Sequence, residues 1–197
     1  MLLYDSAVSG NCYKVRLLLT KLGVDFERRE LSVFDRSDRP DVLGGLNPAL
    51  RVPTLVLDDG RTLGESNAIL WYFADGSEYV PSDAYERAQV LQWQFFEQYD
   101  HEPNIAVARF WDLADLHPSP AELEAKRAGG QKALSAMESH LAAREFLVGD
   151  RYSIADISLY AYTHVAPEGG FSLEPYPAVR EWLARVASQP GHIAITD

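Results

Sequence analysis

The feature that most constrains this chain is a change of hydropathic rhythm near residue 77. Before it, patterns of strand length and helix length alternate. Beyond it, every apolar pattern has helical spacing. A chain ordered this way folds as an α/β unit followed by an all-α unit. Leu2–Asp5 reads as a short strand. Val15, Leu18, Leu19 and Leu22 form an i, i+3, i+4, i+7 stripe, which predicts a helix over residues 12–22 closed by Gly23. Residues 25–31 read as a weaker, partly exposed strand, and a short helix is expected near Arg39–Leu43. Residues 54–57 form a second clear strand, and Asp59-Gly60 turns the chain back antiparallel through residues 61–63. Ser66 then caps a helix through Phe73, with Ile69, Leu70 and Phe73 on its apolar face.

Asp75-Gly76-Ser77 and Pro81-Ser82-Asp83 interrupt these patterns. They divide the chain into a first unit at 1–76, a linker at 77–83 and a helical unit at 84–197. Ala88, Leu91, Phe95 and Tyr99 predict a helix over residues 85–111, with Trp93 and Phe96 as a second stripe and Pro103 as a kink or break. Ser119-Pro120-Ala121-Glu122 is a capping box with proline in the first turn, opening a helix to about Arg144. Ser153-Ile154-Ala155-Asp156 is another. The segment it opens, 154–162, is apolar almost all round, as a central buried helix must be. Pro177 starts a last helix with Val179, Trp182, Leu183 and Val186 inward.

Charge narrows the classes of partner. Residues 1–76 carry 9 basic and 11 acidic side chains, net −2, and the remainder carries 9 and 18, net −9. Such a field disfavours nucleic acid and anionic membrane, and no apolar run is long enough to span a bilayer. The start of the chain lacks the features of a signal peptide. One cysteine, Cys12, excludes an internal disulfide framework and fits a reducing compartment. The five histidines form no paired metal-ligand spacing, so no metal site is expected.

Three short motifs can carry chemistry. Ser9-Gly10-Asn11-Cys12 lies between the first strand and the first helix. A helix start exposes unsatisfied N–H groups and about half a positive charge, so a hydroxyl there can serve a bound anion or simply cap the helix. Arg51-Val52-Pro53-Thr54 precedes a strand, where a cis Val52-Pro53 bond would turn Val52 backbone groups toward a ligand. Glu65-Ser66-Asn67 opens another helix, again with anion-binding geometry or with an ordinary cap.

The order of these motifs resembles a thioredoxin-like domain, and the helical half that follows makes the whole chain similar to a cytosolic glutathione transferase. Asn47-Pro48, Val52-Pro53-Thr54-Leu55, Leu63-Gly64-Glu65-Ser66-Asn67-Ala68-Ile69 and Ser153-Ile154-Ala155-Asp156 match hallmarks of that superfamily in order. Phe96-Glu97-Gln98-Tyr99 and His101-Glu102-Pro103 look similar to its bacterial members, and Ser9 to the serine-type ones. The implied fold is a mixed four-stranded sheet with helices, followed by a helical bundle.

What the resemblance implies for the site can be stated residue by residue. Ser9 and Asn11 would stabilise the glutathione thiolate. Val52, before a cis Pro53, would pair its backbone with the cysteinyl part. Glu65 and Ser66 would hold the γ-glutamyl end and Arg51 the glycyl carboxylate. Glutathione would be the co-substrate, attacking a small hydrophobic electrophile held by the helical half, with Arg109, Phe110 and Trp111 as candidates. A cytoplasmic homodimer is implied, in which Asp100, and less directly Tyr99, reach the partner's γ-glutamyl site. Cys12 is expected in the core, and Asp156 is structural rather than catalytic. Two other functions fit the same scaffold: a glutathione-dependent disulfide reductase or peroxidase, and a non-catalytic module that binds glutathione or a protein.

Overall fold

A computed structural model describes residues 1–197. The chain forms two compact units, Met1–Ser77 together with Pro190–Asp197, and Glu78–Gln189. The first contains β1 (Leu2–Asp5), α1 (Gly10–Lys21), β2 (Glu27–Glu30), α2 (Arg39–Leu43), β3 (Thr54–Val56), β4 (Thr62–Gly64) and α3 (Ser66–Ala74). The strands form one sheet in the order β2-β1-β3-β4. β1 and β2 are parallel, while β3 runs antiparallel to both β1 and β4. This is the expected mixed four-stranded sheet.

Alternation along the strands decides which face each side chain serves. Leu3 and Leu55, paired across β1 and β3, join Val15 and Leu19 of α1 and Ile69 of α3 in one buried cluster. Tyr4 turns the other way, toward Leu31 and Leu43 of α2. The sheet is therefore covered on both faces. β2, Glu-Arg-Arg-Glu, is exposed throughout. A charged edge strand of this kind resists pairing with other sheets. Gly23 closes α1 with φ of 64°, a left-handed conformation that glycine adopts without a Cβ penalty.

The last eight residues depart from the expected division at 84–197: they belong to the first unit. Tyr13 Oη donates to the Ile193 carbonyl (2.8 Å), Lys21 Nζ to that of Pro190 (2.7 Å) and Arg28 to that of Asp197 (2.6 Å). Arg16 donates to the Ile195 carbonyl. Both arginines also bind the buried Asp5, at 2.6 Å each. A tyrosine hydroxyl and three cationic side chains on α1 and β2 thus hold the carbonyls of the tail.

The second unit is helical: α4 (Ala84–Phe96), a π-helical turn (Glu97–His101), α5 (Glu102–Leu113), α6 (Pro120–Leu141), α7 (Ile154–Thr163), a short 3₁₀ turn (Ala166–Gly169) and α8 (Pro177–Ala187). The helix predicted over 85–111 is split, with Pro103 in the first turn of α5, where its missing N–H is harmless. Both predicted capping boxes are present. Every residue of α7 is buried. The stripe of Ala88, Leu91, Phe95 and Tyr99 lies on the outer face. Tyr85, Phe95 and Tyr99 are 72%, 65% and 85% exposed, and Leu91 and Ala88 are exposed too. The inward face of α4 is Val90, Trp93 and Gln94. Helical spacing identifies a stripe but not which stripe turns inward. No helix is long and apolar enough to cross a membrane.

Candidate functional site

The sheet register gathers the three motifs at one edge. Tyr4 in β1 pairs with Thr54 in β3, and Thr54 pairs with Gly64 in β4. The chain just after β1, just before β3 and just after β4 therefore leaves the sheet at the same end. Those segments hold Ser9 and Asn11, Val52 and Pro53, and Glu65 and Ser66. Two helix starts, those of α1 and α3, open there.

Ser9 is the N-cap of α1, and its Oγ accepts from the Cys12 N–H at 3.4 Å. Capping uses the oxygen as acceptor and leaves the hydroxyl hydrogen able to donate. The capping and ligand-binding roles are therefore compatible. Asn11, half-buried, lies two residues on. Its Oδ1 accepts from Lys14 Nζ at 2.7 Å and from Ser66 Oγ at 3.2 Å, and Lys14 Nζ is 3.5 Å from Ser66 Oγ. The two helix starts are thus joined through side chains 55 positions apart in the chain.

Cys12 is fully buried. Burial, with a further contribution from Asp5, pushes its thiol well above the ordinary value; the Ser9 hydrogen bond opposes this only in part. A helix start normally favours a thiolate. Here desolvation wins, so Cys12 is inert core, as expected from its place in the motif.

The second motif is braced from behind. Val52-Pro53 is cis, in agreement with the sequence reading. The exposed Arg51 has its carbonyl taken by Thr54 Oγ1 (2.7 Å) and Asn47 Nδ2 (3.2 Å). Asn47 also donates to Thr54 Oγ1 at 2.9 Å and accepts from Ala49 N–H at 3.0 Å. Gly64 is required beside it, because a Cβ there would come within 2.9 Å of Asn47 Nδ2. Arg39, buried, donates to the carbonyls of Leu50 (3.0 Å) and Ser32 (2.9 Å).

Glu65 is exposed, with φ of 62°. A non-glycine residue held there costs about 1–3 kcal/mol, and such positions cluster at ligand sites. Ser66 is buried as the first residue of α3, so unsatisfied N–H groups of that helix lie beside Glu65. An oxyanion at this end would meet two helix starts, whose Asn11 and Ser66 side chains are both hydrogen-bonded by the buried ammonium of Lys14. The sequence reading missed Lys14, Arg39 and the bracing role of Asn47. A lysine inside an apolar helical stripe gives no local signal of its partner.

The second-unit candidates are dispersed. Asp100 is exposed in the π-helical turn, its carbonyl accepting from Asn104 Nδ2 at 2.6 Å. Arg109 is 6% exposed, and its Nε donates to Glu168 at 2.6 Å. Its charge is paired within the helical unit. Phe110 and Trp111 are half-buried. Successive helical residues diverge by about 100°, so no single face of α5 carries all three.

Comparison with known proteins agrees with this geometry. Residues 8–75 match the glutathione S-transferase N-terminal domain family, and residues 91–190 match the glutathione S-transferase C-terminal domain family. A crystal structure of a glutathione S-transferase from Pseudomonas fluorescens superposes with a TM-score of 0.96, at 47% identity, covering 100% of this chain and 98% of that one. Glutathione S-transferase 2 of Anopheles gambiae is 33% identical over 93% of this chain and 88% of its own length. The disulfide-bond oxidoreductase YfcG of Escherichia coli is 27% identical over 93% of this chain and 89% of its own. On the match of both halves and of the whole fold, the chain belongs to the cytosolic glutathione transferase superfamily.

Proposed function

We propose that this protein binds glutathione at the sheet edge of its first unit and activates the thiol for attack on a small hydrophobic electrophile. The observation that carries the reading is the joining of Asn11 and Ser66, at 3.2 Å, across two helix starts. Glu65 and Ser66 take the γ-glutamyl end, the Val52 backbone the cysteinyl part, and Arg51 the glycyl carboxylate. Ser9 and Asn11 donate to the sulfur. A free thiol with a pKa near ~8.5 is only a few per cent ionised at neutral pH. Lowering it by two units takes about 2.7 kcal/mol. A hydrogen bond to the charged sulfur contributes about 1.5–3 kcal/mol and the helix start about 0.3–1 kcal/mol. No general base is needed, and the thiol proton leaves to water. The thiolate sulfur then forms the new C–S bond while the leaving group departs with its electron pair. We assign the electrophile to aromatic side chains of the helical unit, Phe110 and Trp111, and not to Arg109, which Glu168 engages.

The assembly we propose is a homodimer. Its support is the exposed apolar stripe of Tyr85, Leu91, Phe95 and Tyr99, together with the near-neutral first unit and the strongly acidic second. In that dimer Asp100 faces the partner's γ-glutamyl site.

A second reading is favoured by the similarity to a disulfide-bond oxidoreductase and by Asn11: reduction of glutathione-containing disulfides with the same bound thiolate. Parallel assays with an aryl halide and with a mixed glutathione disulfide separate the two. Turnover of the halide supports the transferase reading. Turnover of the disulfide alone replaces it, and activity with neither refutes both.

A further inference from the structure

Arg16 of α1 and Asp5 of β1 form an ion pair in which both partners are buried. Apolar residues of similar volume often stabilise a core as well as such a pair does, so its role is sought in what it positions. A guanidinium is a planar fork of donors with no acceptor. The two terminal nitrogens of Arg16 carry four hydrogens, and four acceptors surround them. Nη1 donates to Asp5 Oδ1 at 2.6 Å and to the Ser6 carbonyl at 3.2 Å. Nη2 donates to the Ala7 carbonyl at 3.3 Å and to that of Ile195. Three of these acceptors lie on consecutive residues, at the end of β1 and in the turn that leads to Ser9. The Ser6 carbonyl also accepts from the Ser9 N–H at 3.0 Å, and the Ala7 N–H is held by the Glu30 carboxylate at 3.0 and 3.2 Å. The fourth acceptor comes from the tail, which Tyr13, Lys21 and Arg28 anchor independently. Because the fork is rigid, its two prongs move together. An acceptor fixed at Ile195 therefore sets the plane in which the Ser6 and Ala7 carbonyls are met.

We infer that Arg16 is a positioning residue for the thiol site: its guanidinium fixes the Ser6–Ser9 turn, and so the place of the Ser9 hydroxyl, and the tail at 190–197 holds the guanidinium in that setting. This inference rests on the thiol-site reading above. It goes further in giving the tail, which touches no proposed ligand contact, a hand in thiol ionisation. It also accounts for a buried charge pair directly behind the first helix start.

The test is ultraviolet titration of bound glutathione thiolate against pH, with affinity from calorimetry and fold from thermal unfolding. The full-length variants are Ser9→Ala, Arg16→Lys, the tail variant Tyr13→Phe/Lys21→Met, and each of the last two combined with Ser9→Ala. Ser9→Ala should raise the bound thiol pKa by about one to two units. Arg16→Lys keeps the charge but not the fork, so it should raise the pKa by a similar amount. The tail variant leaves the Asp5–Arg16 pair in place and should raise it by about half a unit. Neither should add to the shift of Ser9→Ala, and glutathione affinity should change little, because Val52, Glu65 and Ser66 stand on other segments. If Arg16→Lys or the tail variant titrates like wild type while Ser9→Ala shifts, the inference is overturned and the thiol-site reading stands. Additive shifts overturn it too, since Arg16 or the tail would then act other than through Ser9. Affinity that falls in step with thiol acidity overturns it as well, because the whole unit would have been disturbed. No shift in Ser9→Ala overturns the assignment of Ser9 itself and the inference with it. Should Arg16→Lys not fold, the tail variant decides alone by the same criteria.

Discussion

Replacing Asp156 by alanine should damage the fold far more than any change at the ligand edge. This carboxylate is fully buried and accepts four hydrogen bonds: from Leu147 N (3.0 Å), Ser153 N (2.9 Å), Ser153 Oγ (3.1 Å) and Trp182 Nε1 (2.9 Å). It therefore ties the start of α7 to the preceding loop and to α8. In Asp156→Ala, three N–H donors lose their partner; at about 1–3 kcal/mol each, the loss is about 3–9 kcal/mol. Burial works the other way. It outweighs the four donors and lifts the carboxyl from 3.8 to about 6. Ionising it inside the fold at neutral pH thus costs about 3 kcal/mol, which the variant is spared. The net expectation is a loss of about 3 kcal/mol, or a fall of roughly 6–12 °C in Tm for a chain of this size. The sign of the pH effect follows from the raised pKa. Between about pH 4 and pH 6 the folded protein holds a proton that the unfolded chain has released, so this group's contribution to stability falls as pH rises through that window. The difference in stability between wild type and variant should therefore narrow from about pH 4 to pH 7, by up to about 3 kcal/mol. Urea unfolding of both proteins across this range measures it. A loss below about 1 kcal/mol at neutral pH, or a difference that widens as pH rises, would refute the reasoning.

Further outcomes are expected elsewhere in the chain. Cys12 should resist thiol reagents in the native protein and react only as it unfolds, because burial keeps its thiol protonated; rapid labelling of the native state counts against its place in the core. Phe95→Asp puts a charge in the exposed stripe of α4 and should convert the dimer to monomers at micromolar concentration, read by sedimentation; a wild-type monomer would remove the dimer proposal. Asn47→Ala should destabilise the first unit by about 1–3 kcal/mol and weaken glutathione binding, since the Arg51 carbonyl and Thr54 Oγ1 lose a donor; calorimetry that finds unchanged affinity would dissociate this brace from the site.

Most of the architecture was legible because local signals agreed with one another. Leu2–Asp5 alternates and packs, and Arg39–Leu43 and both capping boxes stand where their residues predicted them. What escaped was long-range pairing. Ala88, Leu91, Phe95 and Tyr99 have the spacing of a core stripe, and only the position of the other helices leaves them outside. The tail at Pro190–Asp197 carries no strong pattern; its place is set by carbonyls that meet Tyr13, Arg16, Lys21 and Arg28. At the site, Ser9, Asn11, Val52 and Ser66 were named from helix starts and a proline. Lys14 was hidden, since its partners are one turn back on α1 and 52 residues onward. Arg109, beside two aromatics, suggests a ligand site in the sequence, and only the fold brings Glu168 to it, at 2.6 Å.

The central claim is that two helix starts at one sheet edge bind glutathione and make its thiol acidic. Its most direct measurement is the pH titration of the ultraviolet thiolate band of glutathione bound to the wild-type protein. The account predicts a midpoint about two units below that of the free tripeptide, as the Ser9 and Asn11 donors and the helix start together supply. A bound thiol that titrates at its free-solution value, or no saturable binding at all, would contradict it.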